Sequence, residues 1–214
     1  MGVTIHYRGT LDDVGSLDAF CRESADIGAS MGWETKVWDD SWEEPLTARI
    51  VHKEGAATIE GNLGLKGISL RPGGNCESLC FLFDSKGCLR SLMDRLMESE
   101  GQAVSDKPSV SVKTQFASPD LHVWIIGLLK HLKKRYMADL EVSDEGGYWE
   151  TGDRKALEAS MQFINNKINW VSDELSSVEF GDMKGLTAEE IASRIAQHLQ
   201  TRWNDDDLLS PDLG

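Results

Sequence analysis

A chain of 214 residues with 40% hydrophobic content is long enough to bury a core as one domain, or as one domain with an appendage. Its 36 acidic against 22 basic residues leave a formal charge of −14, which repels phosphate backbones and anionic lipid and excludes nucleic acid and membrane surface as partners. No apolar run reaches bilayer length, and Met1 to Arg8 alternates like a strand where a leader would carry a charged stub and an apolar run, so a cytoplasmic location is expected.

Val3 to Tyr7 has the period of two of a first strand, with His6 facing away from Ile5 and Tyr7. Asp12 or Asp13 caps a helix to about Met31, which turns Leu17, Phe20, Cys21, Ile27 and Met31 to the core and stops at Gly32. Trp33 to Trp38 is the next strand, its two tryptophans on opposite faces by parity, and it runs into the acidic loop Asp39 to Glu44. The middle is β-rich, with strands over 47–52, 58–60, 65–71 and 79–83 separated by Gly and Pro turns. Asp84 to Gly87 reads as a type I turn, with Cys88-Leu89 starting the return. Gly61, Gly64 and Gly67 are equally spaced, but a phosphate-cradling loop needs a helix start after it, so they read as hairpin punctuation. Ser91 to Glu100 is a short helix and 101–109 a polar surface loop.

The rest of the chain packs around the stretch from Pro108 to Asp153. Ser109 to Phe116 alternates as a strand, and Ser118-Pro119-Asp120 supplies a cap, a first-turn proline and a dipole-favoured carboxylate for a helix to about Arg135. Leu121, Trp124, Ile125, Leu128, Leu129 and Leu132 recur at spacings of three and four, the mark of a buried helix. Leu140 to Val142 returns as a strand before an acidic loop over 143–153. Beyond it, Leu157, Met161, Ile164, Ile168, Val171 and Leu175 stripe a long helix, and a capping box at Thr187 and Glu190 opens another.

The expected fold is α+β: a mainly antiparallel sheet with two helices on one face, two strand–helix–strand units, over 3–42 and 110–149, and a C-terminal helical pair. Residues 1–153 form the sheet domain, 154–203 the helices packed on it, and 204–214 a flexible acidic tail.

Candidate chemistry is sparse. Asp144, Glu145 and Glu150 share one loop, and Asp39, Asp40, Glu43 and Glu44 its counterpart; if the two units pack side by side, these oxygens would suit Mg²⁺ or Ca²⁺. The plainer reading makes Asp153 the cap of the following helix and Gly146-Gly147 a turn, with no cofactor. His122 lies in the first turn of its helix, where a neutral ring could serve as a general base, or where it is simply a boundary residue with its bonds satisfied. Trp38, Trp42 and Trp149 beside carboxylates would make a protein-binding patch unless they pack under loops. Arg71, Lys113 and Gln115 would line a pocket or an exposed sheet face. Cys21, Cys76, Cys80 and Cys88 match no zinc spacing and read as free thiols.

Val112-Lys-Thr-Gln-Phe-Ala-Ser-Pro119 and Asp144-Glu-Gly-Gly-Tyr-Trp-Glu-Thr-Gly-Asp153 resemble a signature of an uncharacterised family of bacterial proteins of similar length. That resemblance implies a bacterial cytoplasmic protein and carries no activity. Two function classes follow. One is a non-catalytic interaction or regulatory domain whose acidic surface suits a basic protein partner. The other is a metal-dependent hydrolase of a small phosphorylated substrate, with Asp144, Glu145 and Glu150 on the ion and His122 moving a proton.

Overall fold

The computed structural model describes residues 3–53, 55–105, 107–177 and 186–205. The elements in order are β1 (Thr4–Arg8), α1 (Leu17–Ser30), β2 (Glu34–Asp39), β3 (Arg49–Lys53), β4 (Ala56–Glu60), β5 (Lys66–Arg71), β6 (Leu79–Phe83), α2 (Leu92–Ser99), β7 (Val110–Lys113), α3 (Pro119–Tyr136), β8 (Glu141–Asp144), α4 (Tyr148–Thr151), α5 (Arg154–Ser177) and α6 (Ala188–Asp205). The fold is α+β and every strand pairing is antiparallel. The chain divides into two compact units, residues 1–161 and 162–214, so Leu157 and Met161 of α5, both buried, belong with the sheets.

In the first unit the strands form three small sheets rather than one: β7-β1-β8, β2-β5-β6 and the hairpin β3-β4. Alternation in β1 buries Ile5 and Tyr7 and leaves His6 partly exposed, as its period requires. The strand–helix–strand order does recur, but the two passes are wired differently. β7 and β8 both pair with β1, whereas β1 and β2 lie in different sheets. Side-by-side pairing of two equivalent units is therefore absent.

One apolar core gathers Tyr7, Phe20 of α1, Phe81 and Phe83 of β6, and the inner face of α3 from Ile125 to Tyr136. Phe20 stands edge-on to Phe81, Phe83 and Tyr136 at 5.6, 5.3 and 5.3 Å, an arrangement aromatic quadrupoles favour. A smaller core on the other side of β5 and β6 holds Leu63, Leu65, Leu82 and Leu96, with Trp38 packed against it. The sheet is thus covered on both faces, which is why both strand tryptophans find shelter. Across the top of α1 and α3, Glu23 accepts from the Tyr136 hydroxyl and pairs with His131 at 2.6 Å and Arg135 at 2.7 Å. The Tyr136 hydrogen bond is the main reason the Glu23 carboxyl sits below its usual range.

Several boundaries differ from the sequence reading for local reasons. Asp13 does cap, accepting from the Gly15 amide, but it caps a 3₁₀ turn over 14–16, and the α-helix starts at Leu17. β7 stops at Lys113 because Thr114 and Gln115 turn into the interior. Gln115 is therefore on no exposed face: its Oε1 accepts from Val3 N at 2.8 Å and its Nε2 donates to Met161 O at 3.2 Å. The segment 143–153 is not all loop. β8 runs to Asp144, and a single turn of helix, α4, is held between Gly147 and Gly152, both in the left-handed region. Asp153 accepts from the amides of Lys155 and Ala156 at the start of α5. Gly67, inside β5, leaves no room for a Cβ, which would stand 2.0 Å from Phe81 O.

In the second unit, the Thr187 and Glu190 capping box forms at the start of α6, each partner bonding the other's backbone amide. Helix α6 runs to Asp205, two residues into the tail expected over 204–214; the rest of that tail, 206–214, and the connection over 178–185 lie outside the described residues. Among the described residues no helix is long and apolar enough to cross a membrane.

Candidate functional site

The two residues singled out for separate chemical roles, His122 and Asp144, turn out to be partners. His122 Nε2 lies 3.1 Å from Asp144 Oδ2, and Nδ1 lies 2.8 Å from Thr114 Oγ1, which in turn is 3.2 Å from Val3 O. Asp144 also accepts from the Gly146 amide at 2.8 Å and the Trp149 amide at 3.0 Å. Both side chains are fully buried. Burial pushes the Asp144 carboxyl up, but the His122 bond and charge and the two amides outweigh it and hold it below the usual range. A hydroxyl has one proton to give. If Thr114 donates to Val3 O, the imidazole donates from both nitrogens and is an imidazolium on a carboxylate; if Thr114 donates to Nδ1, the ring is neutral. In either arrangement every polar atom of the chain Thr114–His122–Asp144 has a partner. With no exposed edge, the network fastens β1, the end of β7, the first turn of α3 and the turn after β8. It has no open position for a substrate.

The other expected metal carboxylates do separate work. Glu145 accepts from Thr4 N at 3.0 Å and faces His6 at 3.7 Å, while Glu150 is exposed. Asp39 pairs with Lys66 at 2.7 Å and Asp40 accepts from Leu63 N at 2.8 Å. Among the described residues no three Asp, Glu, His or Cys side chains stand together in a group that could hold a metal ion. All four cysteines are free and half-buried, and burial raises the Cys21 and Cys76 thiols to about 11.

The tryptophans are anchored rather than free. Trp42 Nε1 donates to Phe83 O at 3.2 Å, and Trp38 Nε1 to Ser69 Oγ at 3.2 Å, with Lys36 Nζ 3.7 Å above the Trp38 ring. Trp149 packs against the main core with Lys130 over its ring. Among the described residues the aromatics left most open are Phe116 and Trp124.

What the sequence did not reveal is an edge. β2 is the outer strand of its sheet, five of its six residues are exposed, and among the described residues nothing pairs with its outer side. Between α1 and the β2–β5 face of the sheet lies a cleft of about 360 Å³, lined by Leu17, Cys21 and Ala25 of α1, Val37 and Trp38 of β2 and Gly67 of β5. Val37 is 63% exposed, the most open large apolar side chain described. Asp18 and Asp39 stand on the rim with Arg22 and Lys66, and the acidic loop to Glu44 continues from the strand's end. The only signal in the sequence was Trp33–Trp38 itself, a short strand with charges at alternate positions, which is how edges are commonly guarded against self-pairing.

These features define an α+β domain with a closed polar core and an open strand edge. Comparison with known proteins adds nothing to that class: no family model, no curated protein and no solved structure matches the chain.

Proposed function

We propose that this chain is a non-catalytic interaction or regulatory domain that takes up an extended, basic segment of a partner protein beside β2. The observation that carries this is the unpaired edge of β2, whose exposed Val37 also borders an apolar cleft beneath α1. An incoming strand there satisfies the row of free backbone groups while every second side chain drops toward α1. Six residues of strand span about 20 Å, so the ligand is a peptide of about that length. The surroundings favour cations, because β2 and the loop that continues it carry Glu34, Asp39, Asp40, Glu43 and Glu44 against the single cation Lys36. A metal-dependent hydrolase has no comparable support, since Asp144 is consumed in a buried network, Glu145 is held by Thr4 N and Glu150 is exposed.

The reading is tested by selecting from a displayed library of peptides that alternate apolar residues with either Lys/Arg or Asp/Glu. Peptides with the basic pattern should be enriched on the wild-type chain and lost on Val37→Pro, which bends the edge and removes a donor. Enrichment of the acidic pattern, or binding indifferent to Val37→Pro, would exclude it.

A further inference from the structure

A second cleft in the first unit lies away from β2 and is lined by more cations than carboxylates. It holds about 590 Å³ where the end of β1, the turn after β6, α2 and the loop before β7 meet. Its walls present Arg8, Lys86, Arg90, Arg95 and Lys107, five cations, in a chain whose net charge is −14. The carboxylates present are already committed. Asp84 accepts from the amides of Lys86 and Cys88 and lies 3.6 Å from Arg90; Asp139 accepts from Thr10 N; Glu141 pairs with Arg8. Behind the wall a single carboxylate, Glu98, serves both Arg90 and Arg95. Arg90 Nε is buried and has no acceptor among the described residues. Lys86 and Lys107 are exposed at the mouth and meet no carboxylate among the described residues. Two guanidinium groups pinned by Glu98 and two exposed ammonium groups without a carboxylate line a cleft suited to an anion, and a cleft of this volume accommodates a small organic molecule.

We infer that this cleft binds a small phosphorylated molecule, its phosphate held between Lys86 and Lys107 over the Arg90 and Arg95 guanidinium groups. Arginine's planar fork matches phosphate oxygens, and the polar neighbours Thr10 and Ser85 supply hydroxyls for the remainder. This inference is independent of the peptide site, since the two clefts share no residue.

The test uses the full chain, inorganic pyrophosphate as probe and citrate as a carboxylate of comparable charge, followed by calorimetric titration and amide chemical shifts. Pyrophosphate should bind saturably at millimolar concentration and shift the amides of Thr10, Lys86 and Cys88. The double variant Lys86→Ala/Lys107→Ala should keep the wild-type melting temperature and lose at least about tenfold in affinity, the effect of removing charge-assisted contacts. Lys134→Ala, an exposed lysine elsewhere, should bind as wild type. Absence of saturable binding, or binding retained by the double variant, would overturn the site. Citrate binding as tightly as pyrophosphate would overturn its assignment to phosphate.

Discussion

At the scale of single residues the fold depends on a polar chain where apolar packing would be the default. Thr114, Gln115, His122 and Asp144 are all buried, and each bonds groups far away in sequence. Removing one partner strands the rest, so His122→Ala should cost about 3–5 kcal/mol in urea unfolding, the range for breaking a buried pair. Thr114→Val, which leaves His122 Nδ1 and Val3 O without that hydroxyl, should cost about 1–3 kcal/mol. The pH dependence follows from Asp144. Its folded value lies below its unfolded one, so its contribution is complete above about pH 4 and is lost as pH falls through the folded value. The urea midpoints of wild type and Asp144→Asn should therefore differ most at neutral pH and converge below about pH 4. A gap that held constant down to pH 2–3 would contradict that sign. None of this pairing was legible in the sequence. His122 and Asp144 are 22 positions apart and meet only because β8 pairs with β1 in one register; the hint available was a polar residue at a core position of an otherwise apolar helix.

At the scale of elements, what could be read was whatever local chemistry decides. α3 starts at Pro119 with Ser118 accepting from the Leu121 amide, as its Ser-Pro-Asp start implies, and Ser118→Ala should cost about 1 kcal/mol. α2 has its serine cap, and the Thr187 box opens α6. Strand ends and the division into three sheets escaped because long-range pairing sets them. Whether β1 and β2 share a sheet depends on contacts that no window of the sequence contains. The one glycine of the evenly spaced trio with a clear packing reason inside a strand is Gly67. Its φ of +148° and the Phe81 carbonyl leave no space, so Gly67→Ala should distort the β5–β6 ladder and destabilise by more than about 2 kcal/mol, measurable as a fall in melting temperature. Gly67 also lines the cleft beneath α1.

At the scale of the molecule, the net charge of −14 sets how partners approach. A basic peptide should associate faster than a neutral one of the same apolar pattern, and the difference should shrink between low salt and about 0.5 M as screening shortens the field. Dissociation rates should change far less, because they report the strand pairing itself. The central claim is that β2 is a docking edge, and amide hydrogen exchange tests it most directly, with and without a saturating basic alternating peptide. The outward-facing amides of Glu34–Asp39, those not already bonded to β5, should gain protection while β7 and β8, the edges of the other sheet, stay unchanged. Protection confined to any other element, with β2 exchanging as fast as in the free chain, would contradict it.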